Sequence, residues 1–254
     1  MKKIYLLPNF FTLGNIFFGF YSIVSSINAQ FTQAAYVIIV AGFFDVFDGK
    51  IARATNSTSR FGVEFDSLAD LVSFGVAPGL LVYLWALKPL GRIGWLGAFL
   101  FLVCGALRLA RFNVQVGEVS SDRFVGLPIP CAAGMLATTV IFFEHYAEAL
   151  APTEKYLALI TILVYLLGVL MVSNVKYRSA KNISPKGKSP FKIMVVASLI
   201  LIIIALKPEI TFFLISMGYV TFGLLEAVPG FNKLLVSLQA KYHHHEDRED
   251  GASL

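Results

Sequence analysis

Four aspartates in the first third of the chain stand in two pairs whose spacing suits cation binding. Asp45 and Asp48 are three residues apart, and Asp66 and Asp70 are four residues apart, so each pair lies on one face of a helix. The segment between the pairs is short enough to make the two helices antiparallel neighbours. We therefore expect all four carboxylates to converge on one site.

Carboxylates packed together repel one another and lose hydration, so such a cluster needs a compensating cation. Hard divalent cations take oxygen ligands, and two ions bridged by shared carboxylates form a clamp for phosphoryl displacement. This chemistry predicts two divalent ions, Mg²⁺ or Mn²⁺, at the aspartates. The other interpretation is an interhelical salt-bridge network of aspartate and arginine, which explains single residues better than the whole spacing.

Small and basic residues adjoin the aspartates. Gly49 and Gly62 lack side chains that would keep a phosphate or nucleotide away from the backbone. Arg53 lies one helical turn beyond Gly49 and can form a charge-assisted fork with a diphosphate. The segment therefore has groups for binding a nucleotide diphosphate as well as metal ions.

The composition of the chain places this cluster in a membrane protein. Of the 254 residues, 57% are hydrophobic and 15% are charged, whereas soluble proteins have about 25% charged residues. Apolar stretches of about 20 residues recur, the length that a helix needs to cross a bilayer. We expect an all-α fold, a polytopic transmembrane helix bundle. The basic residues lie between the apolar stretches and form no single stripe, which disfavours nucleic acid as a partner.

About eight spanning helices are expected, six in a catalytic core and two added after it. A break around Pro208 leaves six or seven helices as the alternative. One transmembrane domain over residues 1–240 would contain them, followed by a charged, disordered tail over residues 241–254 in which the histidines 243–245 have no assigned role. The helices are predicted near residues 5–28, 33–53, 66–87, 92–113, 127–147, 155–174, 191–206 and 209–227.

The distribution of lysine and arginine predicts the orientation. With a cytoplasmic N-terminus, all but four of the 21 Lys and Arg residues fall on the cytoplasmic side, as the positive-inside rule requires. The exceptions are Lys88, Arg92, Lys155 and Lys207. We expect a protein of the cytoplasmic membrane whose two termini and acidic site face the cytoplasm.

The full pattern from Asp45 to Asp70 resembles the signature of the CDP-alcohol phosphotransferase family. It reads Asp-x2-Asp-Gly-x2-Ala-Arg-x8-Gly-x3-Asp-x3-Asp, with every fixed position present. The resemblance implies that the first three aspartates bind metal ions, and that Asp70 both helps to bind metal and acts as the base on the incoming alcohol. It also implies that Gly49, Arg53 and Gly62 hold the CDP group, and that the protein is a homodimer.

Segments around the signature are similar to the phosphatidylserine synthase branch of that family. Two of them contain Asn15 and Ser73, which are expected to join the CDP site. A third contains Arg108 and Arg111, three residues apart on one face near the cytoplasmic end of the fourth helix. These arginines suit a serine carboxylate or a lipid phosphate, or they merely anchor the helix at the headgroup level.

The branch resemblance implies CDP-diacylglycerol and L-serine as substrates, with CMP released by direct displacement. Two alternatives remain open at this stage. Another member of the family would use glycerol 3-phosphate or an inositol phosphate as the acceptor, and the basic loop at residues 176–188 could bind its phosphate. A cation-coupled transporter would use the four aspartates as an ion relay. Cys104 and Cys131 lie in apolar stretches and are interpreted as packing residues.

Overall fold

The computed structural model describes residues 6–54, 59–115, 123–146, 154–178 and 205–226, together with residues 194, 198 and 202. Within these residues the protein is a bundle of helices, which confirms the predicted all-α membrane architecture. The helices are α1 (Leu6–Ile27), α2 (Phe31–Ala54), α3 (Arg60–Asp70), α4 (Ala77–Val82), α5 (Arg92–Gln115), α6 (Ile129–His145), α7 (Glu154–Val172) and α8 (Pro208–Glu226).

Helices α3 and α4 belong to one continuous helical span, Arg60–Leu90. Two π-helical segments interrupt it, at Leu71–Val76 and Tyr83–Leu87. Single π-helical turns inside α-helices are often associated with functional sites. The first of these segments begins directly after Asp70, so the geometry of the helix changes next to the fourth aspartate of the signature.

The start of this span differs from the sequence prediction. We predicted a loop up to residue 65, whereas the helix begins at Arg60. Ser59 is the N-cap, and its hydroxyl accepts a 3.0 Å hydrogen bond from the backbone N–H of Gly62. The cap satisfies one of the N–H groups that have no partner at a helix start. The helix boundary was missed because the following residues are too polar to extend an apolar stretch.

Helix length and composition identify an integral membrane protein. Four of the described helices are long and apolar enough to cross a bilayer. The helices Ile129–His145 and Tyr156–Val172 are shorter and also apolar. The second half of α2 is more polar because it carries the signature residues. The four long helices are Pro8–Ile27, Arg60–Leu90, Arg92–Val114 and Pro208–Leu225.

Small residues allow the helices around the signature to pack closely. α1 and α2 lie against each other, and α1 also contacts the first π-helical segment. Gly19 of α1 touches Ser73 of that segment so closely that an added Cβ would lie 2.7 Å from the Ser73 Cα atom. Ala34, Ala41 and Ala69 are fully buried in the same region. The close packing brings polar groups of α1 next to the aspartates.

Two segments that were predicted to be loops form a small antiparallel sheet. Strand β1 (Arg123–Val125) pairs with β2 (Lys176–Arg178), and Phe124 lies opposite Tyr177. The backbone N–H of Gly126 then donates to the carbonyl of Val175 over 2.8 Å. The sheet joins the chain before α6 to the chain after α7.

Some predictions fall on residues outside the described ranges. The predicted seventh helix, 191–206, is represented by residues 194, 198, 202, 205 and 206, all of them helical. The tail 241–254 with its histidines lies outside the described residues, as does most of the basic loop 176–188. The single-domain organisation over residues 1–240 and the count of eight spans therefore stay predictions.

Candidate active site

The structure brings three aspartates of α2 and α3 together. Oxygen atoms of Asp45, Asp48 and Asp66 all lie within 4.8 Å of one another. Asp45 and Asp48 project from one face of α2, and Asp66 faces them from the second turn of α3. One cation can therefore contact all three carboxylates at once, with the oxygen ligands that hard divalent ions prefer.

Asp70 lies beside this group, one turn after Asp66, and is 8% exposed. It interacts electrostatically with all three of the other aspartates. Its Oδ1 atom accepts a 3.1 Å hydrogen bond from Nδ2 of Asn15. The backbone carbonyl of Asn15 in turn accepts a 2.9 Å hydrogen bond from the hydroxyl of Ser73.

Through these hydrogen bonds Asn15 contacts Asp70 directly, and Ser73 is connected to Asp70 through Asn15. Both residues are fully buried. Their predicted contact with CDP stays a prediction; the groups just described are directed at Asp70 and at the α1 backbone. Their observed contacts fix the position of the Asp70 carboxylate.

Thr12 also belongs to the site, although we did not predict its contact with an aspartate. Its hydroxyl donates to Oδ2 of Asp48 over 3.0 Å, and the side chain is 3% exposed. The sequence signal is its spacing of three residues from Asn15, which places both polar groups on one face of α1. α1 thus orients one aspartate from each of the two acidic helices.

Unpaired buried oxygen atoms fit the binding of a cation. Oδ1 of Asp66 and Oδ1 of Asn15 are buried and have no hydrogen-bond partner among the described residues. Buried oxygen atoms without partners are uncommon and costly in free energy. A divalent ion among the three carboxylates would give the Asp66 oxygen a partner and offset the repulsion between the acidic side chains.

An open cavity of about 170 Å³ adjoins the aspartates. Gly49 and Gly62 line it from opposite helices, together with Asp48 and Asp66. The two glycines thus border the open space next to the acidic cluster, where we predicted that a nucleotide approaches the backbone. The side chain of Arg53, the third predicted contact to CDP, lies outside the described part of the structure.

The two arginines of α5 have different surroundings. Arg111 donates hydrogen bonds to the carbonyls of Val125, Val172 and Ser173 at 2.8, 3.2 and 3.4 Å. Its guanidinium therefore ties α5 to the end of β1 and to the end of α7. Arg108 is 8% exposed and interacts electrostatically with Asp70.

The fold and the site define a helical membrane protein with a convergent aspartate cluster. Residues 5–163 match the sequence profile of the family described as CDP-alcohol phosphatidyltransferase. Because this match covers more than half of the chain, and relatives above 30% identity cover more than two thirds of it, the chain belongs to that family.

Several named proteins are similar in sequence to this chain. The CDP-diacylglycerol--serine O-phosphatidyltransferase of Helicobacter pylori (strain ATCC 700392 / 26695) is 40% identical over 202 residues, which are 80% of this chain and 84% of that protein. The enzyme of the same name from Bacillus subtilis is 36% identical over 69% of this chain and 92% of its own length. The archaetidylserine synthase of Methanothermobacter thermautotrophicus is 38% identical over 67% of this chain and 69% of its own length.

Proposed function

We propose that this protein transfers the phosphatidyl group of CDP-diacylglycerol to the hydroxyl of L-serine, forming phosphatidylserine and releasing CMP. The observation that carries the proposal is the convergence of Asp45, Asp48 and Asp66 beside an open cavity, with Asp70 adjacent. The relatives named for serine transfer align with most of the chain. Their names favour serine over the phosphorylated acceptors.

Asp45, Asp48 and Asp66 would hold divalent cations, which we propose to be two ions of Mg²⁺ or Mn²⁺, with Asp70 as a further ligand. Bound there, the ions supply positive charge for the transferred phosphoryl oxygens and for the departing CMP. The hydrogen bond from Thr12 holds one Asp48 oxygen in place. The carboxylates are thus oriented before any substrate arrives.

Asp70 is the proposed general base. It takes the proton from the serine hydroxyl as that oxygen attacks the phosphorus atom, and the bond from phosphorus to the CMP oxygen breaks. Asn15 holds one carboxylate oxygen of Asp70, which leaves the other available for the proton. A base must come within hydrogen-bond reach of the proton that it removes. The acceptor hydroxyl would approach Asp70 from the cavity lined by Asp66, one helical turn away.

Binding of the donor is assigned to the other residues around the cavity. Gly49 and Gly62 let the nucleotide approach the helix backbones, and Arg53 pairs with the diphosphate. The acyl chains stay in the bilayer. We further propose that the site faces the cytoplasm, where the basic residues concentrate and where CMP and serine are soluble, and that the protein is a homodimer in the cytoplasmic membrane.

The deciding experiment is an acceptor panel. Purified protein in detergent is incubated with CDP-diacylglycerol, Mn²⁺ and one alcohol at a time, and CMP is measured. We expect serine to give the fastest release, with phosphatidylserine as the lipid product. Faster release with glycerol 3-phosphate or an inositol phosphate would identify that phosphorylated alcohol as the acceptor instead of serine. The reaction type shared by the family would be unaffected.

A further inference from the structure

A second polar cluster lies beside Asp70 and is built by four elements. Arg108 of α5 interacts electrostatically with Asp70, Cys131 and Tyr219. Tyr219 of α8 is in hydrogen-bond contact with Cys131 of α6. The ring of Tyr177, from β2, lies 5.7 Å from the ring of Tyr219. Cys131 packs against the hydrophobic core, as predicted, and also adjoins this polar cluster.

Two donors of this cluster are buried without partners. The Nε atom of Arg108 and the hydroxyl of Tyr177 make no hydrogen bond within the described residues. Arg108 is 8% exposed and Tyr177 is 1% exposed. A buried donor that lacks an acceptor is costly in free energy. One acceptor group bound in this cluster would pair with both donors.

The fold holds the Tyr177 ring in place. Gly223 of α8 lies directly against it, and a side-chain carbon at that position would overlap the ring. Pairing with β1 fixes the backbone of Tyr177, and Arg111 ties β1 to the end of α7. A tyrosine whose position is fixed from several sides, with a free hydroxyl, suits the recognition of a ligand.

We infer that Arg108 and Tyr177 form the subsite for the carboxylate of the acceptor, each donating a hydrogen bond to it. This inference rests on the proposed function and names the residues that would select serine. A carboxylate is an acceptor-only group with two oxygen atoms, so it can pair with both free donors. Serine bound in this way places its hydroxyl on the side of Asp70, with which Arg108 interacts.

The alternative is that Arg108 serves only as a counter-charge for Asp70. That role leaves the buried hydroxyl of Tyr177 without a partner. Tyr177 also lies beyond residues 5–163, the part of the chain that matches the family profile. Recognition of the acceptor would then combine a residue of the shared core with a residue contributed by the C-terminal part of the chain.

The test is Tyr177→Phe, which removes the hydroxyl and keeps the ring. We expect the KM for serine to rise about 10- to 100-fold, as for loss of a hydrogen bond to a charged group. The KM for CDP-diacylglycerol and the kcat at saturating serine should stay within about twofold. Tyr165→Phe is the matched control, because the Tyr165 hydroxyl bonds to the Ile93 carbonyl, away from the aspartates.

Ethanolamine, which is serine without its carboxylate, serves as a second acceptor. Comparing the two acceptors distinguishes recognition of the carboxylate by Tyr177 from a purely structural role of that residue. The ratio of kcat/KM for serine to that for ethanolamine should fall in Tyr177→Phe, while the ethanolamine value stays unchanged. Arg108→Lys, which keeps the positive charge and loses the planar guanidinium with its paired N–H donors, should lower the same ratio. An unchanged serine KM in Tyr177→Phe, or equal losses with both alcohols, would overturn the inference. Wild-type protein that uses glycerol 3-phosphate and not serine would overturn the proposed function as well.

Discussion

The side-chain amide of Asn15 donates a 3.1 Å hydrogen bond to the carboxylate of Asp70, across 55 residues of sequence. Asn15 is fully buried, so this contact is shielded from solvent. A carboxylate held at one oxygen has a fixed orientation, and the other oxygen can then face the acceptor. The contact makes Asn15 a positioning residue for the proposed base.

We expect Asn15→Ala to lower kcat with serine because the Asp70 carboxylate loses its fixed orientation. If Asn15 acts through Asp70, the loss should largely disappear in the Asp70→Asn background. The measurement is a double-mutant cycle on kcat, which isolates the coupling between the two residues. Additive losses in the double variant would show that Asn15 acts independently of Asp70.

Asp70→Asn should lower kcat by about 10²- to 10⁴-fold, the usual contribution of a general base. Binding of the donor, measured with CDP-diacylglycerol in the absence of serine, should change much less. Glu144→Gln is the matched control, because the Glu144 carboxylate accepts a 2.7 Å hydrogen bond from Trp85 at the opposite end of the bundle. Near-normal turnover of Asp70→Asn with serine would require a different base.

Activity should depend wholly on a divalent cation, because three carboxylates within 4.8 Å of one another need a strong counter-charge. Excess chelator should abolish CMP release, and Mg²⁺ or Mn²⁺ should restore it. Titration of the chelated protein with Mn²⁺, followed by electron paramagnetic resonance, gives the number of bound ions. We expect two, and full turnover in chelator would contradict the metal site.

Thr12→Val should weaken metal binding because Asp48 loses the hydrogen bond that orients it. Losses of about 10- to 100-fold in metal affinity are typical for residues that orient metal ligands. Thr138→Val is a matched control, since Thr138 is equally buried at 3% and bonds only within its own helix. The same Mn²⁺ titration measures both variants, and equal affinities would refute the role of Thr12.

Transfer should be a direct displacement with inversion at phosphorus. Covalent catalysis needs a nucleophile beside an activating base. The hydroxyl of Ser73 bonds to the Asn15 carbonyl, and that of Ser67 bonds to the Val63 carbonyl and the Asn113 amide oxygen. Labelled CMP should therefore not exchange into CDP-diacylglycerol until serine is added. Rapid exchange without serine, or net retention, would demonstrate a covalent intermediate.

Much of the site follows from spacing within single helices. The intervals from Asp45 to Asp48 and from Asp66 to Asp70 place each pair on one helix face whatever the rest of the fold does. The apolar stretches likewise predict most spans, because a membrane helix satisfies its own backbone and leaves its length and composition visible in the sequence. Family membership also follows from sequence alone, because the signature is contiguous and complete.

The tertiary structure decided the contacts between residues that are distant in sequence. Three contacts depend on how helices and strands pack: the bond from Thr12 to Asp48, the attachment of Arg111 to backbone carbonyls and the approach of Tyr177 to Tyr219. No local periodicity encodes such pairings, because each depends on the relative rotation and depth of separate elements. Residue types and their local spacing therefore identify the groups that can do chemistry, whereas packing of the bundle selects the neighbours that orient them.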